Sequence, residues 1–185
     1  MAAVPPVCEF GWKAVDATLP GVDGKMHHIF DCAGPNGLAV AFICNHCPYV
    51  KAVVDRVVSD ARELEKRGIG FVAICSNDAQ TYPEDSFANM RAFAKGHKFG
   101  FPYLHDESQQ TARAYNAVCT PDFFGFNKDF ELQYRGRFDA SGRAPAGQDT
   151  RRDLFEAMEQ IARTGQGPRE QIASIGCSIK WKDAA

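Results

Sequence analysis

The sequence predicts an α/β protein, and three observations along its first half carry this prediction. Residues 38–43 and 70–75 are continuous apolar runs, as expected for strands that are buried on both faces. Between them, residues 49–66 repeat apolar side chains at helical spacing. Strand, helix and strand in this order form a βαβ unit, which implies parallel pairing and a right-handed crossover. A chain of 185 residues suits one domain, so we expect a single domain over 1–185.

The elements follow one another in a clear order. Residues 12–19, a turn at 20–24 and residues 26–31 predict an N-terminal β-hairpin extension. The helix over 49–66 carries a core-facing stripe of valines, whose β-branched side chains make it dependent on packing. The second half predicts a helix at 85–97, a short amphipathic stretch at 108–115, hairpin strands at 123–126 and 132–135, a loop at 140–150, a helix at 151–163 and a C-terminal tail at 164–185.

Composition and charge exclude several classes of function. The net charge is −2, which gives no electrostatic reason to expect nucleic acid or an anionic membrane as a partner. The sequence lacks both an apolar run long enough for a membrane span and a secretory signal, so we expect a cytoplasmic protein. It is compatible with a monomer and with a homo-oligomer. The seven cysteines are an odd number, so a fully paired disulfide scaffold within one chain is excluded.

The motif Cys44-Asn45-His46-Cys47 lies directly after a predicted strand and before a predicted helix. Residues three apart at a helix start lie on one face, so the two sulfurs can meet. The helix N-terminus stabilises a thiolate, and His46 could add positive charge. Pro48 fits the first helical turn. This placement favours redox chemistry.

Zinc binding and inert buried thiols are the alternatives. A CxxC pair is half of a zinc site, but the remaining cysteines and histidines are scattered, so we expect neither a metal nor another cofactor.

The chain resembles thioredoxin-fold proteins, and more narrowly the bacterial redoxin group (AhpC/TSA-like and TlpA-like proteins). The resemblance covers about residues 10–163. Its motifs are Asp23-Gly24-Lys25 in the hairpin, Cys44-Asn45-His46-Cys47-Pro48-Tyr49, Phe71 to Asp78, Phe101 to Asp106, and Thr120-Pro121-Asp122-Phe123-Phe124.

The resemblance implies a thioredoxin-like fold with a central mixed β-sheet flanked by helices. It also implies that Pro121 is a cis-proline facing the cysteine pair, that Thr120 lies close to Cys44, and that substrate contacts come from Asn45, His46, Thr120 and Pro121. The implied activity is thiol–disulfide exchange by Cys44 and Cys47. Its partners would be a disulfide-containing protein or small-molecule substrate and a thiol reductant.

The sequence departs from thioredoxin itself around the motif. Ile43 stands where thioredoxin has Trp, Asn45-His46 replaces Gly-Pro, and residues 38–43 lack thioredoxin's buried Asp. The placement of His46 resembles more oxidising members. We therefore expect a reduction potential less negative than that of thioredoxin, which is about −270 mV. Redox titration against glutathione measures the potential.

A peroxiredoxin-like thiol peroxidase is the second candidate. Those proteins carry Thr-x-x-Cys at this place, so that Cys47 would be the peroxidatic thiol and Cys44 would replace the Thr. They also need an Arg near the start of the strand after Thr120-Pro121, whereas Arg135 and Arg137 come later. A redox-inactive binding module on the same fold is the third candidate.

Roles can be assigned to the individual thiols. We expect Cys44 at an exposed helix start, attacking the substrate disulfide, and Cys47 one turn inside, resolving the mixed disulfide. The tail segment 175–182 is expected to be a docking strand that Ile179 and Trp181 anchor, and the alternative is that Cys177 is a third redox thiol that closes over the CxxC site as a resolving cysteine. Cys119 is a candidate neighbour of the site or a packing residue. Cys8, Cys32 and Cys75 are expected to have no role in the chemistry.

Overall fold

A five-stranded mixed sheet lies at the centre of the protein, in a computed structural model that describes residues 2–182. In chain order the strands are β1 (Ala2–Ala3), β2 (Thr18–Pro20), β3 (Met26–His28), β4 (Gly37–Phe42), β5 (Ile69–Cys75), β6 (Tyr103–His105), β7 (Cys119–Thr120), β8 (Asp122–Phe126), β9 (Leu132–Gly136) and β10 (Gly176–Ser178). The helices are α1 (Pro48–Glu65), α2 (Phe87–Gly96), α3 (Gln110–Ala114) and α4 (Asp153–Thr164). The central sheet has the order β6-β5-β4-β8-β9, which confirms the predicted fold class.

Strand β4 is the middle strand, and all six of its residues are buried. It pairs in parallel with β5, with Val40 opposite Val72, and antiparallel with β8, with Val40 opposite Phe124. The continuous apolar run therefore has a simple cause, because both faces of this strand are covered. The βαβ unit of β4, α1 and β5 is confirmed.

Alternate residues of β4 point to opposite faces of the sheet. Ala39 and Ala41 pack in the same cluster as the valine stripe of α1 and the apolar face of α4. Their small side chains let both helices lie close to the sheet. On the other face, Val40 and Phe42 share a second cluster with Ile179 from the C-terminal tail. The tail is thus part of the core.

The N-terminal hairpin is shorter than predicted. Strands β2 and β3 pair antiparallel, with Leu19 opposite His27. Residues 12–14 follow the turn between β8 and β9 instead, because Ala14 N–H donates to the Phe130 carbonyl at 2.9 Å. Alternation of apolar and polar residues predicts a strand but does not identify the strand it pairs with, which accounts for the wrong length of the predicted hairpin.

The C-terminal tail contains strand β10, which pairs with β7 on one side and β1 on the other. Ile179 is 3% exposed and Trp181 is 36% exposed, so Ile179 is the residue that anchors the tail. Residues 183–185 of the predicted tail lie outside the described residues. No helix within residues 2–182 is long and apolar enough to cross a membrane.

A buried ion pair joins β8 to β9. Arg135 Nη2 donates to Asp122 Oδ2 at 2.9 Å, and burial raises the pKa of Asp122 to about 6. Replacing Arg135 with Met leaves this carboxylate buried and unpaired, so the free energy of unfolding should fall by about 3–5 kcal/mol in urea titration. The variant that also carries Asp122→Asn should recover part of the loss. An Arg135→Met variant with the same free energy of unfolding as the parent would contradict the stabilising role of this ion pair.

Candidate active site

Cys47 marks the start of helix α1. Strand β4 ends at Phe42, a loop follows, and Cys47 is the N-cap residue before Pro48 in the first turn. Proline fits there because its missing N–H is not needed for helix hydrogen bonding. The partial positive charge of the helix N-terminus therefore falls on the Cys47 sulfur.

The pKa of Cys47 is lowered to about 4. The largest cause is the hydrogen bond from the Cys44 thiol, and burial opposes it. The Cys177 thiol and the N–H groups of Val50 and Cys177 lower the pKa further. The Thr120 carbonyl oxygen, 3.1 Å from Cys47 Sγ, accepts a hydrogen bond only from the protonated thiol. It therefore opposes ionisation, but four donors outweigh one acceptor, and we assign Cys47 the thiolate.

Cys44 has the opposite character. Its side chain is fully buried, and its Sγ lies 3.3 Å from Thr120 Oγ1. The hydrogen bond to Cys47, burial and the negative charge of Asp85 all raise its pKa far above that of a free thiol. The prediction that Cys44 is exposed at the helix start is therefore wrong. The N-cap of the helix is Cys47, three residues later, and Cys44 holds the proton that the pair shares.

Asp85 is a buried carboxylate that fixes the loop between the two cysteines. It comes from the 3-10 turn Pro83–Asp85 and has 0% exposure. Its oxygens accept hydrogen bonds from Asn45 N–H at 2.8 Å, His46 Nδ1 at 2.7 Å and Asn77 Nδ2 at 2.8 Å. The sequence predicts for Asp85 only that it begins a helix. No local signal links it to a motif 38 residues earlier.

The two residues between the cysteines face inward to different extents. The Asn45 side chain donates to the Glu84 carbonyl and accepts from the Tyr103 hydroxyl, at 3.0 Å each. It is 7% exposed and makes both of these hydrogen bonds within the protein, so it positions the loop. His46 is partly exposed and stacks on Tyr82, with ring centroids 5.7 Å apart. Its Nδ1 lies 4.0 Å from Cys44 Sγ and bonds to Asp85, so it neighbours the proton-holding thiol.

The loop before β8 closes the site from the opposite side. The Thr120–Pro121 peptide bond is cis, as the family resemblance implies. Thr120 contacts both cysteines, through its hydroxyl on Cys44 and its carbonyl on Cys47. The expected proximity of Thr120 to Cys44 is thus observed.

The remaining thiols divide into one neighbour and four others. Cys177 Sγ lies 3.0 Å from Cys47 Sγ, and its side chain is partly exposed. Burial raises the pKa of Cys177 to about 11. Cys119 Sγ contacts the Pro121 carbonyl at 3.6 Å, and burial raises its pKa too. Burial likewise raises the pKa of the other three thiols, to about 11 or 12: Cys8, Cys32 and Cys75.

Comparison with known proteins identifies the family. The model of the AhpC/TSA family matches residues 10–138, well over half of the chain. The chain belongs to the AhpC/TSA family. A search of curated proteins found no match.

Solved structures of other proteins share the fold of this chain. An uncharacterized conserved protein from Geobacillus kaustophilus is 40% identical, with a TM-score of 0.94 over 100% of this chain and 98% of that chain. A secreted Mycobacterium tuberculosis disulfide oxidoreductase, homologous to E. coli DsbE, is 16% identical, with a TM-score of 0.60 over 78% and 95% of the two chains. Peroxidoxin BcpB from M. tuberculosis is 15% identical, with a TM-score of 0.59 over 84% and 94%. At these identities the last two show the fold alone.

Peroxidases of this fold are expected to hold an arginine near the reactive sulfur, and the arginines of this AhpC/TSA protein are placed differently. Within residues 2–182, no arginine is among the principal groups that set the pKa of Cys47. Arg135 is engaged by Asp122 and the Asn116 carbonyl, and Arg137 bonds to Asp153 at 2.9 Å. Both side chains are therefore held by other partners.

One group of potential metal ligands occurs among the described residues of this AhpC/TSA chain. Ligand atoms of Cys44, His46 and Asp85 lie within 4.8 Å of one another. Structural zinc sites use four ligands, usually Cys and His. Here Asp85 already accepts three hydrogen bonds, so the group is used as a network that fixes the loop.

Proposed function

We propose that the protein is a thiol–disulfide oxidoreductase in which the Cys47 thiolate is the attacking group. One observation carries this proposal: Cys47 caps α1 with a lowered pKa while Cys44, in contact with it, keeps the proton. The thiolate is the nucleophile in disulfide exchange. This proposal retains the predicted motif and exchanges the predicted roles of its two cysteines.

The substrates that we propose are protein disulfides or small-molecule disulfides, and a thiol reductant restores the reduced enzyme. Cys47 would attack one sulfur of the substrate disulfide and form a mixed disulfide, and the other substrate sulfur would leave as a thiolate. A protonated neighbour such as Cys44 stabilises Cys47 before attack without competing for the substrate. The cis-Pro121 loop lies against the same sulfurs and would orient the incoming chain.

Thiolate titration tests the proposal. The ultraviolet absorbance of thiolates, measured for the reduced parent minus the reduced Cys47→Ser variant, should show one group that stays ionised from pH 9 down to well below neutral pH. The lowered pKa is the reason, because an ordinary thiol is only a few per cent ionised at pH 7. A difference curve that rises only above pH 8 would refute the assignment of Cys47 as the nucleophile.

A peroxidase function is the second candidate, because a low-pKa thiolate at a helix N-terminus also suits attack on a peroxide. Rates of hydroperoxide consumption and of disulfide reduction, measured on the same preparation, discriminate the two. We expect disulfide reduction to dominate, since Arg135 and Arg137, which follow Thr120-Pro121 in the chain, are engaged by Asp122 and Asp153.

A further inference from the structure

Strand β10 brings a third cysteine to the site by regular strand pairing. Cys177 is directly opposite Thr120 in the antiparallel pair of β10 and β7. The backbones approach closely here, because a Cβ atom added to Gly176 would collide with the Thr120 carbonyl oxygen. The position of Cys177 is therefore set by the strand register and by the glycine before it.

Hydrogen bonds hold the segment after Cys177 in place. Ile179 N–H donates to the Val118 carbonyl at 3.0 Å, and Lys180 N–H donates to Asn77 Oδ1 at 2.9 Å. Gln109 Nε2 donates to the Lys180 carbonyl at 2.8 Å. Cys177 thus lies in a paired strand that a hydrogen-bonded segment follows, and it is not on a free tail.

The three sulfurs differ in accessibility. Cys44 and Cys47 are both 0% exposed, whereas Cys177 is partly exposed. The Cys47 and Cys177 sulfurs are 3.0 Å apart, and closing this gap to a disulfide bond of about 2.05 Å needs a movement of about 1 Å. Cys44 is also confined by its contact with Thr120 Oγ1.

We infer that Cys177 is the thiol that resolves the mixed disulfide, so that the oxidised protein carries a Cys47–Cys177 disulfide and Cys44 stays reduced. This inference rests on the proposed function. Cys44 then acts as a positioning residue, which donates a hydrogen bond to the Cys47 thiolate.

The resolving step exchanges the mixed disulfide for a disulfide within the protein. Cys47 is joined by a mixed disulfide to one sulfur of the substrate. Cys177 gives up its proton and attacks Cys47 Sγ, the bond from Cys47 to the substrate sulfur breaks, and that sulfur leaves and takes a proton. The substrate disulfide has been reduced to two thiols, and the protein has lost two electrons as the Cys47–Cys177 disulfide.

The accessible sulfur also determines how the enzyme is reduced again. An external dithiol reaches Cys177 Sγ first, because Cys177 is the more exposed of the two residues. Attack there releases Cys47, and a thiol of low pKa is the better leaving group. The second thiol of the reductant then displaces Cys177 and completes the cycle.

Peptide mapping tests the inference, and the trypsin sites are well placed for it. Residues 26–51 form one tryptic peptide containing Cys32, Cys44 and Cys47, whereas residues 170–180 contain Cys177 alone. After oxidation with glutathione disulfide and alkylation of free thiols, we expect the two peptides to be cross-linked. The Cys44→Ser variant should keep the cross-link, as should Cys119→Ser, the matched control from the neighbouring strand. Cys177→Ser should lose it and accumulate a glutathione adduct on Cys47.

A disulfide confined to residues 26–51, with Cys177 fully alkylated, would overturn the inference. Loss of the cross-link in Cys44→Ser would overturn it as well. Neither result touches the proposed function, since the thiolate titration is made on reduced protein and does not depend on which disulfide forms.

Discussion

Replacing Cys47 with serine should reduce the rate of disulfide reduction by at least about 1000-fold. The serine hydroxyl is not ionised at neutral pH, so the positive field of the α1 N-terminus has no nucleophile to stabilise. The measurement is the reduction of glutathione-modified peptide, with dithiothreitol as the reductant. This is the largest effect that we expect from a single substitution.

Cys119→Ser is the matched control for that experiment. Cys119 is equally buried and lies beside the same cis-peptide loop, but burial raises its pKa and its thiol donates to the Pro121 carbonyl. Its activity should stay within about twofold of the parent. If Cys47→Ser kept its activity and Cys44→Ser lost it, the original assignment of Cys44 as the attacking thiol would be restored.

Replacing Cys44 with alanine should raise the pKa of Cys47 by one unit or more. The Cys44 thiol is the largest single cause of the lowered pKa, and alanine cannot donate a hydrogen bond. One unit corresponds to about 1.4 kcal/mol and, below the pKa, to tenfold less thiolate. Titration of thiolate absorbance in the reduced variant measures the shift.

Cys44→Ser provides the control, because a serine hydroxyl can still donate to the Cys47 sulfur. Its Cys47 pKa should stay closer to the parent value than that of Cys44→Ala. Equal pKa values for parent, serine and alanine variants would show that the Cys44 thiol does not stabilise the Cys47 thiolate.

The sequence predicts the central elements well because their signals are local. Strands β4 and β5 are continuous apolar runs, and every residue of the predicted valine stripe of α1 is buried. Strand β10 lies within the tail segment 175–182, which the sequence predicts to be a docking strand, whereas the short strands β1, β6 and β7 were not predicted, because two or three residues carry no usable period. Their pairing is decided by distant partners.

The sequence identifies the two cysteines of the candidate site but does not predict their roles or their hydrogen-bond partners. The motif identifies Cys44 and Cys47, yet their roles depend on which one caps the helix. Pro48 is the signal that could have settled this, since proline in the first turn places Cys47 at the N-cap. Asp85 had no such signal, because its hydrogen bonds to Asn45 and His46 join segments that only the folded chain brings together. The cis bond at Pro121 was expected from the family resemblance, not from any periodicity.

The gathering of the site from distant segments has a consequence for the newly made chain. Cys47 emerges from the ribosome long before Asp85, Thr120 and Cys177, and the groups that stabilise its thiolate are absent until those segments fold around it. An ordinary thiol is only a few per cent ionised at pH 7, so the unfolded chain exposes cysteines of low reactivity. Reactivity is thus acquired with the completed fold, which protects the chain from mispaired disulfides during synthesis.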